Sequence, residues 1–489
     1  MSQLTAVDTT FLHVESGRTV AHIGGLGIVD PAECPGGALT REAVVELVRQ
    51  RAHLARPLRR KLSAAPLGID RPYWIEDPDF DPSWHVHEVG LPAPGTDLQL
   101  GEAIARLHER PLDRRRPLWE LYLVQGLNGG RAALFAKVHH AASDGVLGAE
   151  LLTALLDVDP EPKPVRAVGR PPESEEPERP PNPLRMLGLG LAKAAIHPLH
   201  TARSIARTAP YLDQIPVVGQ YPGADLMARA AHTVLRRDSP PRLPRLTPPR
   251  TPFDGPIGAR RSFAFGSVPL SDIRRLRRAL GVSVNDIVMA TCATALRRWL
   301  LKRDVLPGQP LVAAVPVSLR RGGPGCDGAN RLSAMIAPLP THIADPAERF
   351  AAVHTAMGTV KRRFVTTSAG DWFEELSGMV PGAFSAMATR VALQVAPAFV
   401  QPANLMISNV PGPQVPLYIC GARVLAYYPA SVISDLTGGV NITVFSYNGS
   451  LDIGIVACPD LVPGNWDLID YMRDGLEELK ILADALPQA

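Results

Sequence analysis

The chain has 489 residues, 46% of them hydrophobic, and a formal net charge of +3. That length exceeds one ordinary core and implies two domains, while the apolar content excludes a disordered chain. The small net charge gives no sign of a nucleic-acid binder. The five cysteines (Cys34, Cys292, Cys326, Cys420, Cys458) are scattered and odd in number, with no CxxC spacing. They fit a reducing compartment and offer no metal or disulfide framework. The opening, MSQLTAVDTTFLHVES, lacks the basic cluster and apolar run of a signal peptide. No stretch reaches the roughly 18 uncharged apolar residues of a membrane span, because Lys193, Arg203 and Arg390 cut the longest candidates. A cytoplasmic protein is expected, with attachment to a membrane surface left open.

In the first half, Leu118–Leu127 and Ala132–Val138 are short apolar runs separated by Asn128-Gly129-Gly130, which predicts an antiparallel hairpin. Gly145–Asp157 has helical periodicity. Nine prolines then fall between Pro160 and Pro183, and seven between Pro240 and Pro256. Proline has no amide donor and disfavours helix at the residue before it, so both stretches are read as linkers. Between them, 184–237 has helical spacing interrupted by Lys193, Arg203 and Arg207. It is either a helix pair packed on a domain or a basic amphipathic segment on a lipid surface. Further on, Ser271–Leu280 and Asp286–Leu301 read as helices and Leu311–Val317 as a strand. Val440–Tyr447 and Leu451–Cys458 flank Asn448-Gly449, a second hairpin signal. Neither half carries a GxGxxG or GxxxxGK[ST] loop, which argues against nucleotide-binding α/β domains.

One cluster carries chemistry. His139-His140-Ala141-Ala142-Ser143-Asp144-Gly145 lies between a predicted strand and a predicted helix. Histidine titrates near pH ~6.5, so a neutral imidazole is available as a general base. Asp144 could orient an imidazole or anchor the loop, and Gly145 permits a tight turn. Spacing alone leaves open a pair of surface histidines, and the absence of HExxH or a nearby cysteine argues against zinc.

The seven residues match HHxxxDG, and the chain resembles the bacterial wax ester synthase/acyl-CoA:diacylglycerol acyltransferase family. Other pieces agree in order: Asp8 and Phe11 before HVE, Pro117-Leu118-Trp119, Asn285-Asp286, the segment Pro316 to Arg320, Ser408-Asn409-Val410-Pro411-Gly412-Pro413, and the Asn441–Gly449 hairpin. The resemblance runs from residue 3 to about 475 and spares only the linkers. It implies an α/β (α+β) fold similar to chloramphenicol acetyltransferase, in which two domains, each a mixed sheet with helices, meet along an active-site tunnel. The expected layout is 1–160 for the first domain, 161–256 for linkers and the amphipathic segment, and 257–489 for the second domain.

The implied activity is transfer of a long-chain acyl group from acyl-CoA, a co-substrate rather than a cofactor, onto diacylglycerol. No cofactor or metal is expected. Wax ester synthesis from fatty alcohols is the alternative acceptor chemistry. A carrier-protein condensation enzyme and a catalytically silent lipid-droplet coat are the competing readings. His140 would act as general base and then acid, supported by His139, Asp144 and Gly145. Asn285, Asp286, Ser408 and Asn409 are candidate substrate contacts, and Asn285 or Ser143 a candidate oxyanion donor. Asn285 also suits a helix N-cap and Asp286 the helix dipole, and SNVPGP suits a rigid loop. The arginines at 274, 275, 277 and 278 and the group Lys361-Arg362-Arg363 could meet CoA phosphates or form solvated faces. Location at the inner membrane face or on lipid inclusions is expected.

Overall fold

The computed structural model describes residues 2–66, 70–142, 154–161, 223–235, 246–318, 332–366 and 401–485, with isolated positions at 186, 188 and 192. In the first half, β1 (Ser2–Gln3), α1 (Ala6–Val14), β2 (His22–Asp30) and α2 (Arg41–Arg51) precede β3 (Arg60–Ser63), β4 (Tyr73–Glu76) and β5 (Val86–Gly90). α3 (Asp97–His108), β6 (Trp119–Gln125) and β7 (Ala132–His139) complete it. Thr5 and Thr96 start α1 and α3 with capping boxes to Asp8 and Gln99, satisfying amides that the helix leaves unpaired. The predicted hairpin forms as β6 and β7, paired antiparallel.

Within 184–237, the described residues contain α4 (Ala224–Leu235); most of that segment, the two readings of it, and most of the Gly145–Asp157 helix lie outside the described residues. The second half runs β8 (Ser262–Pro269), α5 (Leu270–Leu280), α6 (Val284–Leu301), β9 (Leu311–Ser318), β10 (Leu332–Leu339), α7 (Pro346–Thr366) and β11 (Leu405–Pro411). It ends with β12 (Tyr418–Ile419), β13 (Ala422–Ala430), β14 (Val440–Tyr447), β15 (Ser450–Ala457) and α8 (Trp466–Asp484). β14 and β15 form the second predicted hairpin.

Two six-stranded mixed sheets organise these elements, in the orders β12-β13-β2-β7-β6-β5 and β10-β9-β11-β14-β15-β8. The first sheet is therefore completed by a strand from the other end of the chain: β13 pairs antiparallel with β2, Tyr427 opposite Gly27. Cores cross between the halves as well. Phe263, Phe265 and Val456 pack with Leu26, Leu100 and Phe135 on one face of the first sheet, and Phe445 and Tyr447 join Leu134 and Val138 on the other. The buried Asp452 carboxylate accepts the Tyr427 N–H at 2.8 Å and the Ser267 hydroxyl at 2.7 Å, fastening β13 to β15 and β8. The second sheet packs under α6, α8 and the buried Trp299.

Two local expectations need correction. The N-cap of α6 is Ser283, whose hydroxyl accepts the Asp286 N–H while the Asp286 carboxylate accepts the Ser283 N–H; Asn285 lies inside the first turn. A serine with an acid three residues on outcompetes asparagine here because the pair satisfies two amides at once. The first four residues of SNVPGP are strand rather than loop: β11 runs through Ser408 and Asn409 to Pro411, parallel to β14. Gly412 then passes so close to Phe445 that a Cβ there would lie 2.3 Å from its ring.

Candidate functional site

Pleating along β7 sends Lys137 and His139 to one side and Ala136 and Val138 to the other. His139 is wholly buried where β7 lies against β2, opposite His22. Its Nδ1 accepts the Ala141 N–H at 3.0 Å. The proton therefore sits on Nε2, which faces Glu15 Oε1 at 3.3 Å. Glu15, just past the end of α1, also accepts two hydrogen bonds from Arg114 and the Ala21 N–H. Burial opposes ionisation of this carboxyl, but His139, Arg114 and Ala21 outweigh it and hold its pKa at about 2. The chain Arg114–Glu15–His139 fixes the turn from which His140 projects.

His140 is half-buried, its N–H bonded to Ala21 O at 2.8 Å. Its ring stacks on Phe11, with centroids 4.0 Å apart and planes 10° apart. Phe11 in the last turn of α1 and Glu15 at its C-cap thus support the two histidines from one helix end. Nδ1 of His140 is buried without a well-formed partner among the described residues, which leaves Nε2 to meet a substrate. Burial pushes the imidazole down to about 4, partly offset by its own main chain. The ring is therefore neutral across the ordinary pH range.

Burial also lowers His22, His85, His87 and His108, the last to about 3. These groups take up protons more readily in the unfolded chain, so stability must fall as pH drops below about 6.5. His108 alone contributes a loss of about 2–3 kcal/mol at about pH 4.5. Glu15 stays ionised in this window and adds its own loss only between about pH 4.5 and 2. Thermal unfolding should show Tm declining steadily from pH 7 to 4.5, whereas the acidic limb of kcat/KM should fall near pH 4, not near 6.5. A Tm that is flat over that range would contradict this account.

Trp119 of the PLW segment is buried; its Nε1 donates to Leu58 O at 3.0 Å, and the Leu118 carbonyl accepts the His139 N–H. Asp286 is also buried, held by Ser283, His354 (3.2 Å) and Lys361 (3.3 Å), and hydrogen bonds and attraction from these partners lower its pKa against the burial that raises it. Asn285 is half-buried. Ser408 and Asn409 are half-buried on β11 in register with Thr443 and Val444. Among the described residues, no hydrogen bond or ion pair links Asn285, Asp286, Ser408 or Asn409 to His139 or His140. Ser143, Asp144 and Gly145 lie outside the described residues. All four arginines at 274, 275, 277 and 278 are exposed on α5, and Arg275 pairs with Asp484. Sequence reasoning had not assigned the roles of Glu15, Phe11 and Arg114.

The Ala136–Val138 side of the first sheet, opposite to His139, carries a largely apolar cavity of about 110 Å³, bounded by Ile23, Leu155, Leu156 and Tyr427 among others. Among the described residues no group of acidic, histidine and cysteine side chains is arranged to hold a metal.

The arrangement is matched by known proteins. The wax ester synthase/diacylglycerol acyltransferase catalytic domain family matches residues 4–288, and the C-terminal domain of the same family matches 328–480. A Mycobacterium tuberculosis protein named "Probable diacyglycerol O-acyltransferase tgs2" is 36% identical, over 97% of each chain. Among solved structures, the wax ester synthase/diacylglycerol acyltransferase from Marinobacter aquaeolei VT8 superposes with a TM-score of 0.67 at 28% identity, covering 99% of this chain and 100% of that one. The trichothecene 15-O-acetyltransferase of Fusarium sporotrichioides shares the fold, with a TM-score of 0.56 at 11% identity, over 99% and 95% of the two chains. The two-domain acyltransferase fold expected from the motifs is the one observed, and the chain is an O-acyltransferase belonging to the wax ester synthase/diacylglycerol acyltransferase family.

Proposed function

We propose that this enzyme transfers a long-chain acyl group from acyl-CoA to the free hydroxyl of diacylglycerol, giving triacylglycerol and free CoA. The observation that carries the reading is a neutral, half-buried imidazole, His140, stacked on Phe11 two residues beyond Val138, which lines an apolar cavity. In the reaction, Nε2 removes the hydroxyl proton as the oxygen attacks the thioester carbonyl. The tetrahedral intermediate collapses with cleavage of the C–S bond, and the imidazolium returns its proton to the departing thiolate. A thiol with pKa of about 8.5 is a good leaving group, and no acyl-enzyme is needed. The oxyanion requires a donor; Asn285 and Ser143 are the candidates. Because both substrates are lipids, the enzyme works at a membrane face or lipid inclusion, which co-sedimentation with phosphatidylglycerol vesicles would test; protein left wholly in the supernatant would reject it.

The likeness to the Marinobacter enzyme makes a fatty alcohol the second acceptor to try. Purified protein given palmitoyl-CoA should liberate titratable thiol only when an acceptor is present, faster with diacylglycerol than with hexadecanol. The reverse order would favour wax ester synthesis. Thiol release with no member of an acceptor panel would favour a silent lipid-surface protein.

A further inference from the structure

Along β2, residues Ile23, Gly25, Gly27 and Val29 share the face toward the cavity, while Leu26 and Ile28 pack on the opposite face with α3. Two of the four cavity-facing positions therefore carry no side chain. From Ile23 to Val29 the strand covers about 20 Å, so the cavity-lining face is elongated. It begins at the Ile23–Val138 register pair, adjacent to the His22–His139 pair, and leads away from His140.

Tyr427 on β13 also lines it, and is the one polar side chain among the described lining residues. Its register partner is Gly27, yet its ring leans along β2 until the hydroxyl stands over Gly25, where a Cβ would lie 1.9 Å from it. Any side chain at position 25 would expel the ring from this place. Phe445 backs it, with ring centroids 4.8 Å apart. Burial drives the phenol up to about 12, so it stays neutral. A bound water needs two to four polar partners; walls of Val, Leu, Ile, Ala and Gly supply almost none. The space suits hydrocarbon.

Resting on the acyl-transfer reading above, we propose that this cavity seats a stretch of the linear hydrocarbon tail of a substrate and that Tyr427, admitted by Gly25, sets the chain length the enzyme accepts. The tail can belong to the acyl-CoA or to the lipid acceptor, and the two sources are separable by experiment.

Two variants act in opposite directions. Gly27→Val fills the cavity: a Cβ at Gly27 meets nothing closer than Leu134 O at 3.8 Å and Val424 Cγ1 at 4.0 Å. Tyr427→Ala opens it. Each is compared with the parent enzyme in two arms: acyl-CoA from C8 to C20 with one diacylglycerol, and an acceptor series of increasing chain length with palmitoyl-CoA. With roughly 4-fold in affinity per buried methylene, Gly27→Val should depress kcat/KM for the longest chains at least about 10-fold relative to the shortest, chiefly through KM. Tyr427→Ala should shift the optimum longer. The arm that responds names the source of the tail. Displacement of a fluorescent long-chain fatty acid by fatty acids of graded length gives a readout without turnover. If folded variants, with Tm near the parent value, keep parallel length profiles in both arms and in displacement, the pocket assignment is overturned while the acyl-transfer reading stands. If the parent turns over nothing but displacement still changes its length order in the variants, the pocket stands and the reaction reading falls.

Discussion

His140→Ala should lower kcat for acceptor-dependent CoA release by about 10²–10⁴-fold, the range that a positioned general base supplies. Folding should be almost untouched. The substitution removes the stacking on Phe11, worth about 0.5–1.5 kcal/mol, but it also removes a buried imidazole with an unsatisfied Nδ1, which costs a comparable amount. The residual rate should lose the acidic limb near pH 4, because the group that produces it is gone. Turnover near the parent level in a folded variant would remove His140 from the base role.

Glu15→Ala should have the second-largest effect, although Glu15 lies 125 residues before His140 and acts through its contact with His139. It holds His139 Nε2 and the Ala21 N–H, and it pairs with Arg114. Deleting it strands buried donors at about 1–3 kcal/mol each; the Arg114 pairing adds little because that side chain is partly exposed. Expected are a stability loss of about 2–4 kcal/mol in chemical denaturation and a fall in kcat of about 10²-fold from misaimed His140. KM for palmitoyl-CoA should change little. Glu15→Gln, which keeps an acceptor, should restore much of kcat. Were kcat unchanged while stability fell, Glu15 would be a purely structural residue.

Both hairpins and the helices at 270–301 were legible because each is announced by residues near one another in the chain. The ND pair places the N-cap of α6 two positions late, because Ser283, three before Asp286, holds the capping box. Proline and glycine in SNVPGP suggested a loop, yet Pro411 is tolerated as the last residue of β11, where no further ladder donor is needed. The support of the site was harder to see. Phe11 and Glu15 stand four apart in a motif that was recognised only by resemblance. Both sit at the C-terminal end of α1, but nothing local says that this end meets residues 139–140. Arg114 has no sequence signal at all. The partnership of β13 with β2 is invisible for the same reason, since strand pairing at long range leaves no periodicity behind.

That pairing also constrains how the protein comes to exist. Arg423 lies opposite Asp30, roughly 400 residues apart along the chain. While the ribosome is still producing the second half, one border of β2 has its amides and carbonyls bare, and bare borders invite wrong partners. The enzyme cannot be assembled as two finished lobes joined afterwards. The segment that closes the first sheet also carries Tyr427, so one wall of the apolar cavity is among the last parts of the molecule to be made.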